Sequence, residues 1–386
     1  MTHLLKSGSF DAPQDIAPDS SWAHIRKDNR VILTLDAGGS SFRFTAIQGG
    51  SAITQTITFP TDGHDRDACL RRMIEGFRLT WDQCPIAPVA LSFAFPGPAD
   101  YPNGIIGDLA NLPGFRGGVP LGPILANEFG IPAFINNDGD LFTLGEAIAG
   151  FLPAVNRSLD GAKSVKRFRN LIGITLGTGF GLGVVHEGKL FTGDNSLAGE
   201  GWLLRNRLDP ETNVEETASI RGLRRIYSSL AGCGEREAPT PKEMEAIAIG
   251  SIPGNQKAAK EAYRKLGIAA GDAIAQAVTL IDGLVVIGGG IAKGHTLFWP
   301  SLISAMQGTF SGSGTTRTRL VQRVFDLEEP AEWKLFMGVS PTVLQIPGTN
   351  KVVQYDAMQR IGIGVSRLGT TEAISIGAYA YARERL

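Results

Sequence analysis

Apolar and polar positions follow two different periods along this chain. Short runs at 31–35, 89–95, 172–176 and 284–287 are continuously apolar or alternate residue by residue, and a glycine-containing turn follows each. That pattern predicts strands. Between them, apolar residues recur at helical spacing over 67–81, 121–129, 141–151, 257–280 and 370–385. Strands alternating with helices of this length predict an α/β protein with substantial parallel pairing.

The chain also repeats itself faintly. Segments 32–39 and 173–179 both read as a strand and a glycine turn, followed by second strands at 42–47 and 183–186. Thr34-Leu35 aligns with Thr175-Leu176, and Gly38 with Gly179, at a constant offset of 141. Two halves opening on the same hairpin predict a duplicated architecture with a cleft between them; chance likeness of two glycine-rich hairpins is the alternative. The stretch 311–356 is rich in Ser, Thr and Gly, then acidic at Asp326-Leu-Glu-Glu329, and holds three prolines. It reads as an insertion with short strands of its own. Residues 1–30 read as a polar N-terminal extension without the apolar core of a signal peptide. Uncharged runs elsewhere are broken by glycine or proline before they reach membrane-spanning length.

Composition narrows the function classes. A length of 386 residues suggests two domains. Thirty-seven Lys and Arg against 38 Asp and Glu argue against a nucleic-acid or membrane partner held by bulk charge. Cys69, Cys84 and Cys233 are too few and scattered for a disulfide framework or a cysteine-based zinc site. The expectation is a soluble, cytoplasmic protein. Of the 49 glycines, 23 gather at 38–39, 97–122, 171–201 and 283–294, so bare backbone is wanted in four places.

A glycine turn between strands exposes N–H groups in a small concavity suited to phosphate oxygens. Asp36 ends its strand at such a turn, where a carboxylate can hold Mg²⁺ or water beside a nucleotide. The second turn, Gly177-Thr-Gly-Phe-Gly-Leu-Gly183, adds the Thr178 hydroxyl. No Gly-x4-Gly-Lys-[Ser/Thr] occurs, and 177–183 lacks the G-x-G-x-x-G spacing, so neither a P-loop nor a Rossmann site is read. Asn136-Asn137-Asp138 follows an apolar segment and precedes a helix. Asp138 is most simply that helix's N-cap, or alternatively sits at a strand's carboxyl end where open α/β sheets bind ligands. Glu200 is an acid in a glycine loop. Glu215 and Glu216 precede a basic helix bearing Arg221, Arg224 and Arg225, whose dipole they could simply complement.

Taken in order, the segments resemble the ROK family of the actin-like, hexokinase-like ATPase superfamily. The matching residues are Leu35-Asp-Ala-Gly-Gly-Ser40, Phe95-Pro-Gly-Pro98, Asn111-Leu-Pro-Gly-Phe115, Asn137-Asp138 and Leu144-Gly-Glu146. They continue with Thr175-Leu-Gly-Thr-Gly-Phe-Gly181, Ala198-Gly-Glu200, 215–219, Ile287-Gly-Gly-Gly290 and Ile376-Gly-Ala-Tyr-Ala380. The resemblance implies duplicated actin-like, ribonuclease H-like α/β domains around an interdomain cleft. A small domain would take 31–137 and 371–386, and a large one 138–370. It implies Asp138 as general base, with sugar hydroxyls bonded by Asn111, Asn137, Glu200 and Glu215. Phosphates of ATP would lie on Gly38, Gly39, Ser40, Gly177, Thr178 and Gly179, and Mg²⁺ near Asp36. Gly289 and Gly290 would flank the adenosine, and the assembly would be a homodimer.

Departures from the family pattern bear on substrate. The family's histidine three residues after the glutamate is replaced by Leu203, or by Trp202 if the register slips by one. Its Cys-x-Cys-Gly-x-x-Gly-Cys zinc loop is missing, since 205–214 holds no cysteine. No structural zinc is therefore expected. Trp202 offers a stacking face for a sugar or, more simply, a core tryptophan. The repressor branch is disfavoured because 1–30 is too short for a helix-turn-helix domain. The leading expectation is an ATP-dependent kinase of a hexose or N-acyl-hexosamine, most simply at the 6-hydroxyl. Its rivals are a non-catalytic sugar or nucleotide sensor and an actin-like ATPase with a non-sugar acceptor.

Overall fold

A computed structural model describes residues 24–37, 41–61, 65–107, 113–312, 314–338 and 341–386. The extension up to residue 23 lies outside them. Two sheets of six strands organise the chain. The first runs β3-β2-β1-β5-β6, with β4 also on β2. Its strands are β1 (Val31–Ala37), β2 (Ser41–Gln48), β3 (Ser51–Ala52), β4 (Ile57–Pro60), β5 (Ala90–Ala94) and β6 (Ala133–Asn136). In β2 the apolar Phe42, Phe44 and Ala46 turn to one buried face, while Arg43 and Thr45 turn to the other. The buried face packs on α1 (Arg66–Trp81), where Phe44 meets Phe77 edge-on at 5.0 Å between ring centroids.

The second sheet runs β13-β16-β10-β7-β8-β9. It comprises β7 (Leu171–Leu176), β8 (Phe180–His186), β9 (Lys189–Leu190), β10 (Leu284–Gly288), β13 (Arg323–Asp326) and β16 (Arg360–Val365). β7 and β10 are buried along their whole length, as parallel strands covered on both faces must be. Both sheets pair an antiparallel hairpin with parallel strands beyond it. The repeat is therefore architectural, but its turns differ. Leu35 pairs with Phe44, nine residues on, whereas the aligned Leu176 pairs with Phe180, four on. Similarity fades after the first strand because the second hairpin turns sooner.

The remaining helices are α2 (Leu121–Phe129), α3 (Asp138–Ile148), α4 (Phe151–Gly161), α5 (Ile220–Ala231), α6 (Pro241–Ala248), α7 (Gln256–Ile281), α8 (His295–Met306), α9 (Pro330–Met337) and α10 (Thr370–Arg383). Two of them join the sheets: α3 packs on β7 and β8, α10 on β1 and β5, and each packs on the other. Their contact is close enough to need glycine. A Cβ on Gly145 would lie 1.9 Å from the Ala373 carbonyl oxygen, and one on Gly377 as near to that of Leu141. The helix expected at 141–151 starts three residues earlier and breaks after Ile148; Phe151 then begins α4.

The segment read as an insertion contains two exposed hairpins, β11 (Thr309–Gly312) with β12 (Thr315–Thr318) and β14 (Thr342–Gln345) with β15 (Val352–Tyr355). Between them, β13 joins the second sheet beside β16. Among the described residues no helix is long and apolar enough to cross a membrane.

Candidate active site

Open α/β sheets bind ligands at the carboxyl ends of their parallel strands. In the first sheet that edge is a row: Asp36 on β1 pairs with Ala94 on β5, which pairs with Asn136 on β6. Neighbouring strands lie about 4.8 Å apart, so Asp36 stands two strands, roughly 10 Å, from Asn136. The chain then enters α3. Asn137, not Asp138, is its N-cap, with Oδ1 accepting the Gly139 N–H at 2.8 Å. Asp138 is thereby freed from capping as its only task and becomes the first residue of the helix. Its Oδ1 also accepts the Gly139 N–H, at 2.9 Å.

Asp138 is an exposed residue, although protein atoms crowd round its carboxyl at the start of α3. That crowding raises its pKa above the ordinary carboxylate range, and the charge of Asp36 raises it further. The N–H of Gly139 acts in the opposite sense. Asp36 in turn sits across the hairpin from Arg43, 3.9 Å away. Both side chains are substantially exposed, so this pair stabilises little.

Two residues join the site without having been singled out in the sequence. Tyr101 is buried; its hydroxyl donates to the Phe95 carbonyl at 3.0 Å, with the Asn137 side chain nearby. The Tyr101 hydroxyl occupies the space beside Gly97, where a Cβ would come within 2.3 Å of it. Asp140, 4% exposed, is a second acid in the first turn of α3. Burial, then the charges of Asp138 and Glu200, push its pKa well above the ordinary range. These mutual effects bring Asp36, Tyr101, Asn137, Asp138, Asp140 and Glu200 into one electrostatic neighbourhood. A first-turn acid resembles any dipole partner in sequence, and Tyr101 lies in an irregular stretch, so neither carried a distinguishing signal.

The second sheet supplies the opposite wall. The turn after β7 is open above Gly177, where a Cβ would meet nothing within 4 Å. Thr178 is exposed at its tip. Glu215 reaches this turn: its Oε2 accepts the Phe180 N–H at 3.1 Å and lies against Gly179. Glu215 also meets Arg221 at 3.8 Å, while Glu216 pairs with Arg225 at 2.6 Å and with Arg221, so the helix-terminal role considered for both acids is mainly that of Glu216. Glu200 is half-buried and accepts a hydrogen bond from the indole Nε1 of Trp202, whose ring packs partly buried on the large core. After β10, Gly289 adopts a left-handed φ of +94° with the Leu176 backbone pressed against it. Gly290 borders open space.

Gly289 and Gly290 line a cavity of about 790 Å³, together with Lys293, Leu368 and Gly369 before α10, its first residues Thr370 to Glu372, and Thr45 and Thr56 of the first half. Gly38, Gly39, Ser40 and Asn111 lie outside the described residues. Among the described residues no cluster of three or more His, Cys, Asp or Glu could hold a metal ion.

A cleft between duplicated halves, edged by glycine turns and acids, can now be set beside known proteins. A family model described as the ROK family matches residues 32–323. The chain belongs to the ROK family. This ROK protein is 48% identical to a glucokinase from Parabacteroides distasonis, whose solved structure matches with a TM-score of 0.85 over 94% of this chain and 99% of that one. It is 28% identical over 293 residues to the glucokinase of Thermotoga maritima, covering 70% of this chain and 85% of that relative. It is 30% identical over 203 residues to the N-acetyl-D-glucosamine kinase of Vibrio cholerae. That match spans 52% of this chain and 59% of the relative, under two thirds of the latter's length.

Proposed function

We propose that this ROK protein transfers the γ-phosphoryl group of ATP to a hexose or N-acyl-hexosamine, at the 6-hydroxyl, with Asp138 as general base. The observation that carries the reading is the setting of Asp138. Its carboxyl stands at the start of α3 beside Asn137, open to solvent and within the field of Asp36. A pKa above the ordinary carboxylate value makes it a better proton acceptor, as a general base requires. The sugar hydroxyl oxygen forms its bond to the γ-phosphorus while its proton passes to Asp138. The bond from the γ-phosphorus to the bridging oxygen breaks, and ADP leaves. Positioning and charge neutralisation dominate such transfers.

Asn137, Glu200 and Glu215, with Asn111, would bond sugar hydroxyls; paired polar contacts discriminate strongly between hydroxyl patterns. Gly177, Thr178 and Gly179, with Gly38, Gly39 and Ser40, would hold phosphate oxygens, and Gly289 and Gly290 would border the adenosine. The open space above Gly177 and Gly290 suits close approach of a ligand to backbone. Magnesium is commonly held by one or two carboxylates plus substrate phosphates. Asp36, part-exposed at its strand end, fits that role, and the ion would neutralise phosphate charge. The kinases named above support a sugar acceptor, and family likeness supports a cytoplasmic homodimer.

ADP release measured over glucose, N-acetylglucosamine, mannose and N-acetylmannosamine tests the reading. Native protein should turn over at least one of them, with Asp138→Asn slower by about 10²–10⁴-fold. Equal background rates for both proteins on every sugar would overturn it. Thermal stabilisation by sugar without turnover would favour the sensor instead.

A further inference from the structure

Glu146 is a carboxylate with no exposed surface, placed at the far end of the helix that begins with Asp138. At 1.5 Å per residue the two acids are about 12 Å apart along α3. An ionisable group is rarely buried so completely unless its oxygens are fully engaged. Here Oε2 accepts the Phe151 N–H at 2.7 Å, and Oε1 accepts the Ser366 hydroxyl and the Leu368 N–H, the latter at 3.4 Å. Gly150 leaves room for this: a Cβ there would fall 2.1 Å from Oε2.

The loop that Glu146 grips runs from the end of β16 to the start of α10. Ser366 Oγ, donating to Glu146, also accepts the Gly369 N–H at 2.8 Å. The next residue, Thr370, accepts the Gly289 N–H through its Oγ1 at 2.7 Å. Leu368, Gly369, Thr370 and Gly289 all line the 790 Å³ cavity. One unbroken chain of hydrogen bonds and adjacent residues therefore leads from the end of the helix bearing Asp138 to the glycine turn of that cavity.

We infer that Glu146 is a positioning residue for the nucleotide: through Ser366 and Leu368 it sets the 366–370 wall against Gly289, and so fixes the adenosine side of the cleft. The inference rests on reading this cavity as the nucleotide's. Glu146 does not touch that ligand. Without the carboxylate, the loop loses the two bonds that hold it to α3, while Asp138, Asn137 and Glu200 keep their supports.

The test is calorimetric titration of the full chain with AMPPNP and Mg²⁺, alongside sugar affinity and thermal unfolding. Glu146→Gln keeps the side chain's size but sets an amide NH₂ against groups that donate. It should weaken AMPPNP binding about tenfold, the lower end of what loss of a hydrogen bond to a charged group does. Affinity for the sugar that the native protein phosphorylates should stay within about twofold, since its contacts lie elsewhere. Ser366→Ala, a milder change that should fold if Glu146→Gln does not, should weaken AMPPNP in the same direction. The double variant should bind no more weakly than Glu146→Gln alone, because both remove one linkage. If native protein binds AMPPNP and either variant matches it, or loses sugar and nucleotide affinity equally with its melting temperature, the inference fails and the kinase reading stands. If native protein does not bind AMPPNP, both fall together.

Discussion

Asp140 shows how one residue can serve a site at the expense of the fold. Its carboxyl is buried with Asp138 and Glu200 nearby, and neither lysine nor arginine is among the groups acting on its charge. Burial and like charge both favour the protonated acid in the folded chain. The sign of the stability effect follows from proton binding. Between the unfolded carboxyl's ordinary pKa, about 3.9, and the raised folded value, the folded state holds the extra proton, so stability falls as pH rises. Asp140→Asn removes that loss. Melting curves should show the variant more stable than native protein at pH 8, with the difference shrinking as pH falls and vanishing near pH 4. A variant less stable than native at pH 8 would mean that the carboxylate makes bonds which outweigh its burial. Tyr101 works in the other direction, filling the space left by Gly97 and bonding the Phe95 carbonyl while adding no charge.

Among elements, the contact of α3 with α10 decides most, because it fixes Asp138 at one end and Glu146 at the other. Gly145→Ala improves helix propensity by about 1 kcal/mol. Its new methyl, however, meets a backbone carbonyl at 1.9 Å, and a backbone atom cannot rotate aside. Separating packed helices typically costs about 1–3 kcal/mol, so the net effect should be a loss of stability. Gly161→Ala, facing open space at the end of α4, should stay within about 0.5 kcal/mol of native. Urea unfolding of both variants checks the contrast; equal midpoints would show that the helices separate freely. These contacts also mark where the sequence stops being informative. Both hairpins, the central strands and α10 were legible because their periods are local. The break after Ile148 was not, since Ala149-Gly150 follows an apolar stretch and the Glu146 bond that redirects the chain needs Ser366 and Leu368, over 200 residues away. Asn137 and Asp138 were legible at a strand end, but which of them caps α3 depends on side-chain geometry that letters do not carry.

At the scale of the whole molecule, the site belongs to neither half. Asp36, Asn137 and Asp138 extend from the first sheet, and Gly177, Glu200, Glu215 and Gly289 from the second. Four acids lie close enough to interact: Asp36 acts on Asp138, and Asp138 and Glu200 act on Asp140. Without ligand their repulsion and their need for water both oppose bringing the halves together. On the proposed function, a sugar would supply hydroxyl partners for Glu200 and Asn137, and magnesium with ATP would supply charge compensation near Asp36, so each ligand would remove part of the opposition. Binding both should close the cleft, excluding water from the transfer. The joint between α3 and α10 is the natural pivot, being where the elements of the two sheets meet. Small-angle scattering of the full chain should therefore give a smaller radius of gyration with AMPPNP, Mg²⁺ and a phosphorylatable sugar than without ligand. Sugar alone should produce less of that change, because Gly289 and the α10 wall remain unengaged. Scattering curves that superpose under all these conditions would show a cleft already closed, and the acids would then have to share protons rather than separate.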